Sequence, residues 1–254
     1  MLISIREQSL VWGVRPKGIV HVGGHLGEEN SEYKSNSWGQ VIWIEAQPAL
    51  AARLKEVTSQ LGDRVIQAAI WDSSGEELTL HVSSNSESTS LLEFGTHSKV
   101  HPEIHFSAEI PVKTVTLDDL NLPENHDYLA LDIQGVELRA LKGFKKGLQN
   151  INWICTEINK KEVYKDCALI DEMDRFLDEY GFTRKVTRLT PFGWGDVLYI
   201  RRSHIPHLGV QATFKLPGFY ISYVWLQVKS YLRAIQRKFL FQRTEQKASP
   251  LQDK

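Results

Sequence analysis

Gly18-Ile19-Val20-His21-Val22-Gly23-Gly24-His25-Leu26-Gly27 is an apolar run that breaks into a glycine-rich turn. Val41-Ile42-Trp43-Ile44-Glu45 is a second apolar run, ending in a carboxylate 22 residues after Gly23. Short runs of β-branched and aromatic residues, stopped by a turn or an acid, read as buried strands. Glycine lets a ligand approach the backbone closely, because no Cβ stands in the way. A carboxylate at the tip of the neighbouring strand can accept both hydroxyls of a ribose. Together the two strand ends point to a pocket for a nucleoside-containing cofactor. A tight turn between strand and helix uses the same glycines, and a lone strand-end acid is often only solvated; the pair at this spacing favours the pocket. The turn lacks G-x-G-x-x-G, which argues against a nicotinamide-dependent oxidoreductase.

Outward from these strands, strand-like and helix-like segments alternate, the pattern of an α/β fold with a largely parallel sheet. Helices are predicted over Glu28–Ser37, Pro48–Gln60, Val136 to about Lys146, and Ala168–Tyr180. In the second of these, Leu50, Leu54, Val57 and Leu61 fall at helical spacing. Gly181 closes the last with a left-handed stop. Further strands are predicted over Val65–Ile70, Glu77–Val82, Ile110–Val115, Tyr128–Asp132 and Trp153–Ile158. Phe182–Leu189 and Asp196–Arg201 read as a closing antiparallel pair, and the serine-rich stretch Ser83–Ser90 as a loop.

Composition bounds the function. The chain has 254 residues, 42% of them apolar and 24% charged, room for one full α/β domain. A net charge of −1 does not suit a nucleic-acid binder. Two cysteines, Cys155 and Cys167, have neither disulfide-framework nor zinc spacing, so a cytoplasmic setting is the expectation. Charge interrupts the N-terminal residues too early for a signal peptide, and no run is long enough for a transmembrane helix.

Several side chains could carry chemistry. Asp132 ends an apolar strand, and ligands of open α/β sheets sit outside the carboxyl ends of strands. Glu157 falls near the same edge. The plainer roles are a helix cap for Asp132 and a salt-bridged strand acid for Glu157. His21 and His25 flank the glycine turn, where histidine could take a proton from a hydroxyl or simply shape the loop. His97, His101 and His105 recur at i, i+4 and i+8, but Pro102 breaks that helix, and no metal is expected.

Taken in order, these segments resemble the FkbM family of S-adenosylmethionine-dependent methyltransferases. The matching stretches are His21–Glu29, Ile44–Pro48, Ala68–Asp72 with Gly75, Thr116–Leu120, Leu131–Glu137 leading to Leu141-Lys142-Gly143, Thr156-Glu157-Ile158 and Trp194–Tyr199. The resemblance implies a Rossmann-like class I methyltransferase fold, a three-layer sandwich around a seven-stranded, mostly parallel sheet with an antiparallel last strand. It implies a cofactor site of His21, Gly23, Gly24, Gly27, Glu45, Ala46, Ala69, Ile70, Asp72 and Asp132. Within it the turn would carry the methionine part, Glu45 the ribose, Ala69, Ile70 and Asp72 the adenine, and Asp132 the reactive methyl. Most members are acidic at the His21 position, and Asn is frequent at the His25 position; this chain departs at both.

The function expected is O-methyl transfer from S-adenosylmethionine to a hydroxyl of a sugar, glycan or other hydroxylated metabolite. Asp132, then His25, are the expected bases, with Glu157 orienting the acceptor. Ser88, Ser90, Glu137 and Trp194 are expected to line the acceptor side. A non-catalytic cofactor-binding or scaffold protein is the alternative.

Residues 1–202 are read as the methyltransferase domain and 203–254 as a basic extension, with eight Lys/Arg against two Asp/Glu. Within it, 219–241 has apolar residues at helical spacing beside Lys229, Arg233 and Arg237. That pattern suits a helix lying on an anionic membrane surface, making the chain peripheral to the membrane. It equally suits self-association or packing on the domain.

Overall fold

The computed structural model describes residues 1–58 and 61–205. The extension expected over 219–241 lies outside the described residues, as do the last two residues of the predicted 48–60 helix. Residues 1–205 form one unit.

The sequence runs that read as buried strands form the centre of the sheet. β1 (Gly18–Val22), β2 (Gln40–Glu45), β3 (Arg64–Gln67), β7 (Tyr128–Leu131) and β8 (Trp153–Asn159) are parallel; β9 (Phe182–Leu189) and β10 (Trp194–Arg201) close the sheet antiparallel. The order is β3-β2-β1-β7-β8-β10-β9. Direction of progress reverses between β1 and β7, so the crevice at their carboxyl ends is the topological switch point.

Pleating sorts the strand residues onto two faces. Val20, Val22, Ile42, Ile44, Leu129, Leu131, Ile154 and Ile158 pack beneath α5 (Glu137–Lys142) and α6 (Ile170–Glu179). Ile19, Val41, Trp43, Tyr128, Ala130 and Cys155 face α1 (Ile5–Val11), α2 (Asn30–Ser35) and α3 (Pro48–Thr58), with Tyr33 and Leu54 inserted from the helices. Three layers result, with apolar burial on both faces of the central strands.

The structure revises several expected elements. The apolar run 65–70 is two strands. β3 stops at Gln67, and β4 (Ala69–Ile70) leaves the main sheet to join β6 (Phe106–Val115), which pairs antiparallel with β5 (Glu77–Ser83). The 28–37 helix begins only at Asn30, because Gly27, at φ +75°, still belongs to the turn. The helix after Asp132 ends at Lys142 rather than near Lys146. There Gly143 passes so close to the Trp71 carbonyl that a Cβ would lie 2.4 Å from it. Val57 of α3 is exposed, as is Leu61 beyond its end, and Ala51, Leu54 and Thr58 make the inner face. α4 (His97–Val100) is a single turn, so the three spaced histidines do not share a helical face. Among the described residues no group of three or more His, Cys, Asp or Glu is placed to hold a metal ion, and no helix is long and apolar enough to cross a membrane.

Candidate active site

The glycine turn is shaped by its neighbours before any ligand is considered. Gly23 sits at φ +85°, and a Cβ on it would lie 1.8 Å from the Asp132 carbonyl oxygen. Asp132 N in turn donates to Val22 O at 3.0 Å. Glycine is therefore what lets the ends of β1 and β7 close on each other. Gly24 and Gly27 make room for Leu54 of α3.

The amide donors of this turn are all used internally. Gly23 N and Gly24 N donate to Ile44 O at 2.9 and 3.0 Å, and Gly27 N to Gly24 O at 2.8 Å. His25 N donates to Glu45 Oε2 at 2.9 Å and Leu26 N to Glu28 Oε2 at 3.3 Å. Glu45 Oε1 accepts from Gln47 N at 2.8 Å. Glu45 is thus fixed at the tip of β2 with Ala46 half-buried beside it, and burial raises its pKa.

Strand pleating places His21, Asp132, Glu157 and Asp196 on one face, at the carboxyl edge of the parallel strands. Asp196 stands opposite Glu157 in the β8–β10 register. These four side chains line one small pocket together with Met1, Ala130, Leu131, Cys155 and Thr156. Asp196 accepts from Leu2 N and, at 3.4 Å, from Ile3 N. Gln134 joins the acids: its Nε2 donates to Asp132 Oδ1 at 2.6 Å and Glu157 Oε2 at 3.1 Å. Its Oε1 accepts from the Tyr164 hydroxyl at 2.5 Å. Gln134 holds φ +58° and Gly135 φ +103°, which turns the chain back over the strand ends.

Burial drives the electrostatics. It raises the pKa of Asp132, of Glu157 and of Asp196, and for Glu157 the charges of Asp132 and Glu137 add to the effect. His21 is held neutral by burial, stacked 4.7 Å from the Trp43 ring with the Tyr33 hydroxyl 3.0 Å from its Nδ1. His25, at φ +42°, differs: its Nδ1 lies 2.7 Å from Glu28 Oε1 and its Nε2 2.9 Å from Ser86 Oγ. The bond to Glu28 raises its pKa. It ties the glycine turn to the serine loop.

Of the residues expected near the adenine, Ala69 and Ile70 are buried in β4. Asp72 accepts from Arg139 Nη1 at 2.9 Å, and the same guanidinium lies 4.4 Å over the Trp71 ring. Of the residues expected to line the acceptor side, Ser90 donates through Oγ to Gln134 O at 2.7 Å. Ser88 Oγ lies 3.2 Å from His97 Nε2. Trp194 packs with Val163, Tyr164 and Cys167.

Glu137, expected on the acceptor side, turns inward. It is buried, and its oxygens accept from Ile133 N and Gly135 N, each at 3.1 Å, so its work is to hold the turn after Asp132. Burial pushes its pKa up to about 7. Asp132 is not a helix cap, since α5 starts five residues further on. Gln134 and Asp196 were not singled out from the sequence. Asp196 lies in a buried strand pattern, and only the antiparallel register sets it against Glu157.

A family model described as the methyltransferase FkbM domain matches residues 21–183. This chain belongs to the FkbM methyltransferase family. The matched span runs from His21 through the first residues of β9 and takes in Glu45, Asp132, Gln134 and Glu157. A search of curated proteins returns no match for this FkbM chain. Among solved structures it is similar to ribosomal protein L11 methylase from Lactobacillus delbrueckii subsp. bulgaricus, at 12% identity and TM-score 0.43, covering 77% of this chain and 73% of that one. It is also similar to M. capricolum TrmK in complex with S-adenosyl-homocysteine (10%, TM-score 0.41, 93% and 88% covered). A third is magnesium protoporphyrin IX methyltransferase from Synechocystis PCC 6803 with bound SAM (11%, TM-score 0.40, 74% and 71% covered).

Proposed function

We propose that this FkbM domain binds S-adenosylmethionine at the switch point and transfers its methyl group to a hydroxyl of a sugar, glycan or similar hydroxylated metabolite. The observation that carries the cofactor is the distribution of donors and charge. Gly23, Gly24, His25, Leu26 and Gly27 have no amide left over for a pyrophosphate. Beside them, Asp132, Glu157 and Asp196 gather carboxylates at one strand edge. Such an edge repels phosphate and favours a cation. S-adenosylmethionine fits on both counts: it has no phosphate, and it carries a sulfonium and an ammonium. Glu45 at the tip of β2 suits the ribose hydroxyls, and Ala69, Ile70 and Asp72 the adenine.

When bound, S-adenosylmethionine supplies a methyl group on a good leaving group, so much of the catalysis can be positioning. The chain's own part is to orient the acceptor hydroxyl and receive its proton. Asp132 suits the proton, because burial raises its basicity toward that of a useful general base. Gln134 holds Asp132 and Glu157 at fixed positions through one amide nitrogen. Glu157 then orients the acceptor. His25 is engaged at both ring nitrogens and serves first as a tie between loops.

The test is incubation of the full chain with methyl-labelled S-adenosylmethionine and a panel of sugars and other polyols. Mass spectrometry would read an added methyl ether. Label transfer that wild type performs and Asp132→Asn performs equally well would remove Asp132 from the proton-accepting role. Transfer to nitrogen or carbon acceptors alone would remove the hydroxyl assignment.

A further inference from the structure

The direction of the hydrogen bonds leaving the serine loop can be read outward from a backbone amide, which can only donate. Ser88 N donates to Asn85 Oδ1 at 3.2 Å, and Ser83 Oγ donates to the same oxygen at 2.8 Å. The other end of the Asn85 amide is therefore Nδ2, and it donates to Ser88 Oγ at 3.1 Å. His97 Nε2 lies 3.2 Å from that oxygen. A hydroxyl that accepts still has its own hydrogen to give, and Ser88 bonds to the Tyr164 hydroxyl. Tyr164, 1% exposed, donates in turn to Gln134 Oε1 at 2.5 Å. Gln134 Nε2 then faces the acids, with an N–H for Asp132 Oδ1 at 2.6 Å and another for Glu157 Oε2 at 3.1 Å.

Each link sets the next. An ionised carboxylate only accepts, whereas a protonated one can donate. Burial favours the protonated acids here, and a protonated Glu157 would bond equally well to a Gln134 amide turned end for end. The Tyr164 hydroxyl opposes that turn. Turned, the amide would point Nε2 at a hydroxyl whose own hydrogen then loses its acceptor, an orphaned donor in a buried site. Packing keeps Tyr164 in place: its ring centroid lies 5.8 Å from that of Phe94. Gly135 admits it, since a Cβ there would lie 3.0 Å from Tyr164 Cβ.

We infer that Tyr164 is a positioning residue: through Gln134 it keeps two amide hydrogens on Asp132 and Glu157, and so lets the buried pair hold a negative charge. The inference rests on the reading of Asp132 as proton acceptor and adds what keeps that carboxylate ionised. The pair is also faced by Asp196 of β10, Glu137 of α5, Glu29 before α2, His21 of β1, Cys155 of β8 and the α-ammonium of Met1. None of these is altered in the variants below.

Carbon-13 NMR titration of the side-chain carboxyls in the ligand-free full chain reads the pair directly. Tyr164→Phe keeps the ring and removes the donor, so the first ionisation of the Asp132–Glu157 pair should move up by about one pH unit. Gln134→Leu should move it at least as far. The double variant should move it no further than Gln134→Leu alone, because Tyr164 acts through Gln134. Ser88→Ala, one link back, should move it in the same direction. In methyl transfer, the acid limb of the kcat profile of Tyr164→Phe should move up with the titration. A titration that stays at the wild-type position in Tyr164→Phe would overturn the inference, as would shifts that simply add in the double variant. If Tyr164→Phe does not fold, an unmoved titration in Ser88→Ala overturns it instead. A wild-type chain that transfers no methyl group would sink the reading of Asp132 as proton acceptor, and the titrations would still decide the role of Tyr164.

Discussion

Gly23→Ala separates the geometric argument from the chemical one. A Cβ at this position would lie 1.8 Å from the Asp132 carbonyl oxygen, whereas real Cβ contacts stay beyond 3.0 Å. The end of β7 must therefore retreat by at least about 1.2 Å. Asp132 travels with it, as does the 3.0 Å bond from Asp132 N to Val22 O. The positive φ of +85° adds roughly 1–2 kcal/mol for a residue with a side chain. A domain with roughly 5–15 kcal/mol of stability survives that sum of strains, though weakened. A displacement of about 1 Å near the reacting atoms costs on the order of 10²-fold in turnover. Gly181→Ala is the control: its φ is +82°, its nearest neighbour is Arg201 Nη1 at 3.7 Å, and it closes α6 away from the acids. Both variants should lose stability in thermal melts, Gly23→Ala more. Only Gly23→Ala should lose methyl transfer by about 10²-fold. Wild-type turnover in a folded Gly23→Ala protein would refute the claim that contact between the ends of β1 and β7 positions Asp132.

Other expectations follow from the same edge. Asp132, Glu137, Glu157, Asp196 and Glu45 all have folded pKa values raised above their ordinary ones. The folded state then binds more protons, so stability falls as pH rises from the ordinary carboxylate range through the raised values, Glu137 near 7 among them. Because buried His21 and His97 act in the opposite sense, urea unfolding of the ligand-free chain at pH 5.5 and 8 is compared with that of Glu137→Gln. Wild type should lose stability toward pH 8 relative to that variant, and identical pH dependence would contradict the burial of this acid. The stabilisation conferred by S-adenosylmethionine should run the other way and be larger at pH 8, since a cation favours the ionised carboxylates. His25 has a raised pKa because of Glu28, so its charged tie is present at low pH and lost as pH rises through that value. Glu28→Gln should bring the His25 NMR titration back toward about 6.5. Arg139→Met breaks a half-exposed ion pair to Asp72 and the contact over Trp71. Urea unfolding should show a loss of about 1 kcal/mol, and a loss above about 3 kcal/mol would mean the pair does more than these contacts explain.

The centre of the sheet was legible because β1, β2, β7 and β8 are apolar on both faces, and such runs announce themselves. The strand change at Ala68 was not, because the 65–70 run is apolar on both sides of the break. Only the bond from Ala68 N to Glu45 O and the pairing of β4 with β6 decide it. α1 was not read from the sequence although its start carries a signal: Ser4 Oγ accepts from Glu7 N at 3.1 Å, the serine cap with glutamate three residues on. Asp132 and Glu45 were visible as acids ending strands. The positions of Gln134 and Asp196 depend on a left-handed turn and on an antiparallel register, neither of which a local pattern encodes. Glu137 shows the converse: a carboxylate close to Asp132 in sequence turns inward to satisfy backbone amides.

The central claim is that the crevice between β1 and β7 is built for a cation without phosphate. Calorimetric titration of the wild-type chain with S-adenosylmethionine and, separately, with NAD measures it directly. The account predicts saturable binding of S-adenosylmethionine, at least tenfold weaker in Glu45→Ala, and no measurable heat with NAD. Binding of NAD at comparable affinity, or S-adenosylmethionine binding indifferent to Glu45, would contradict it.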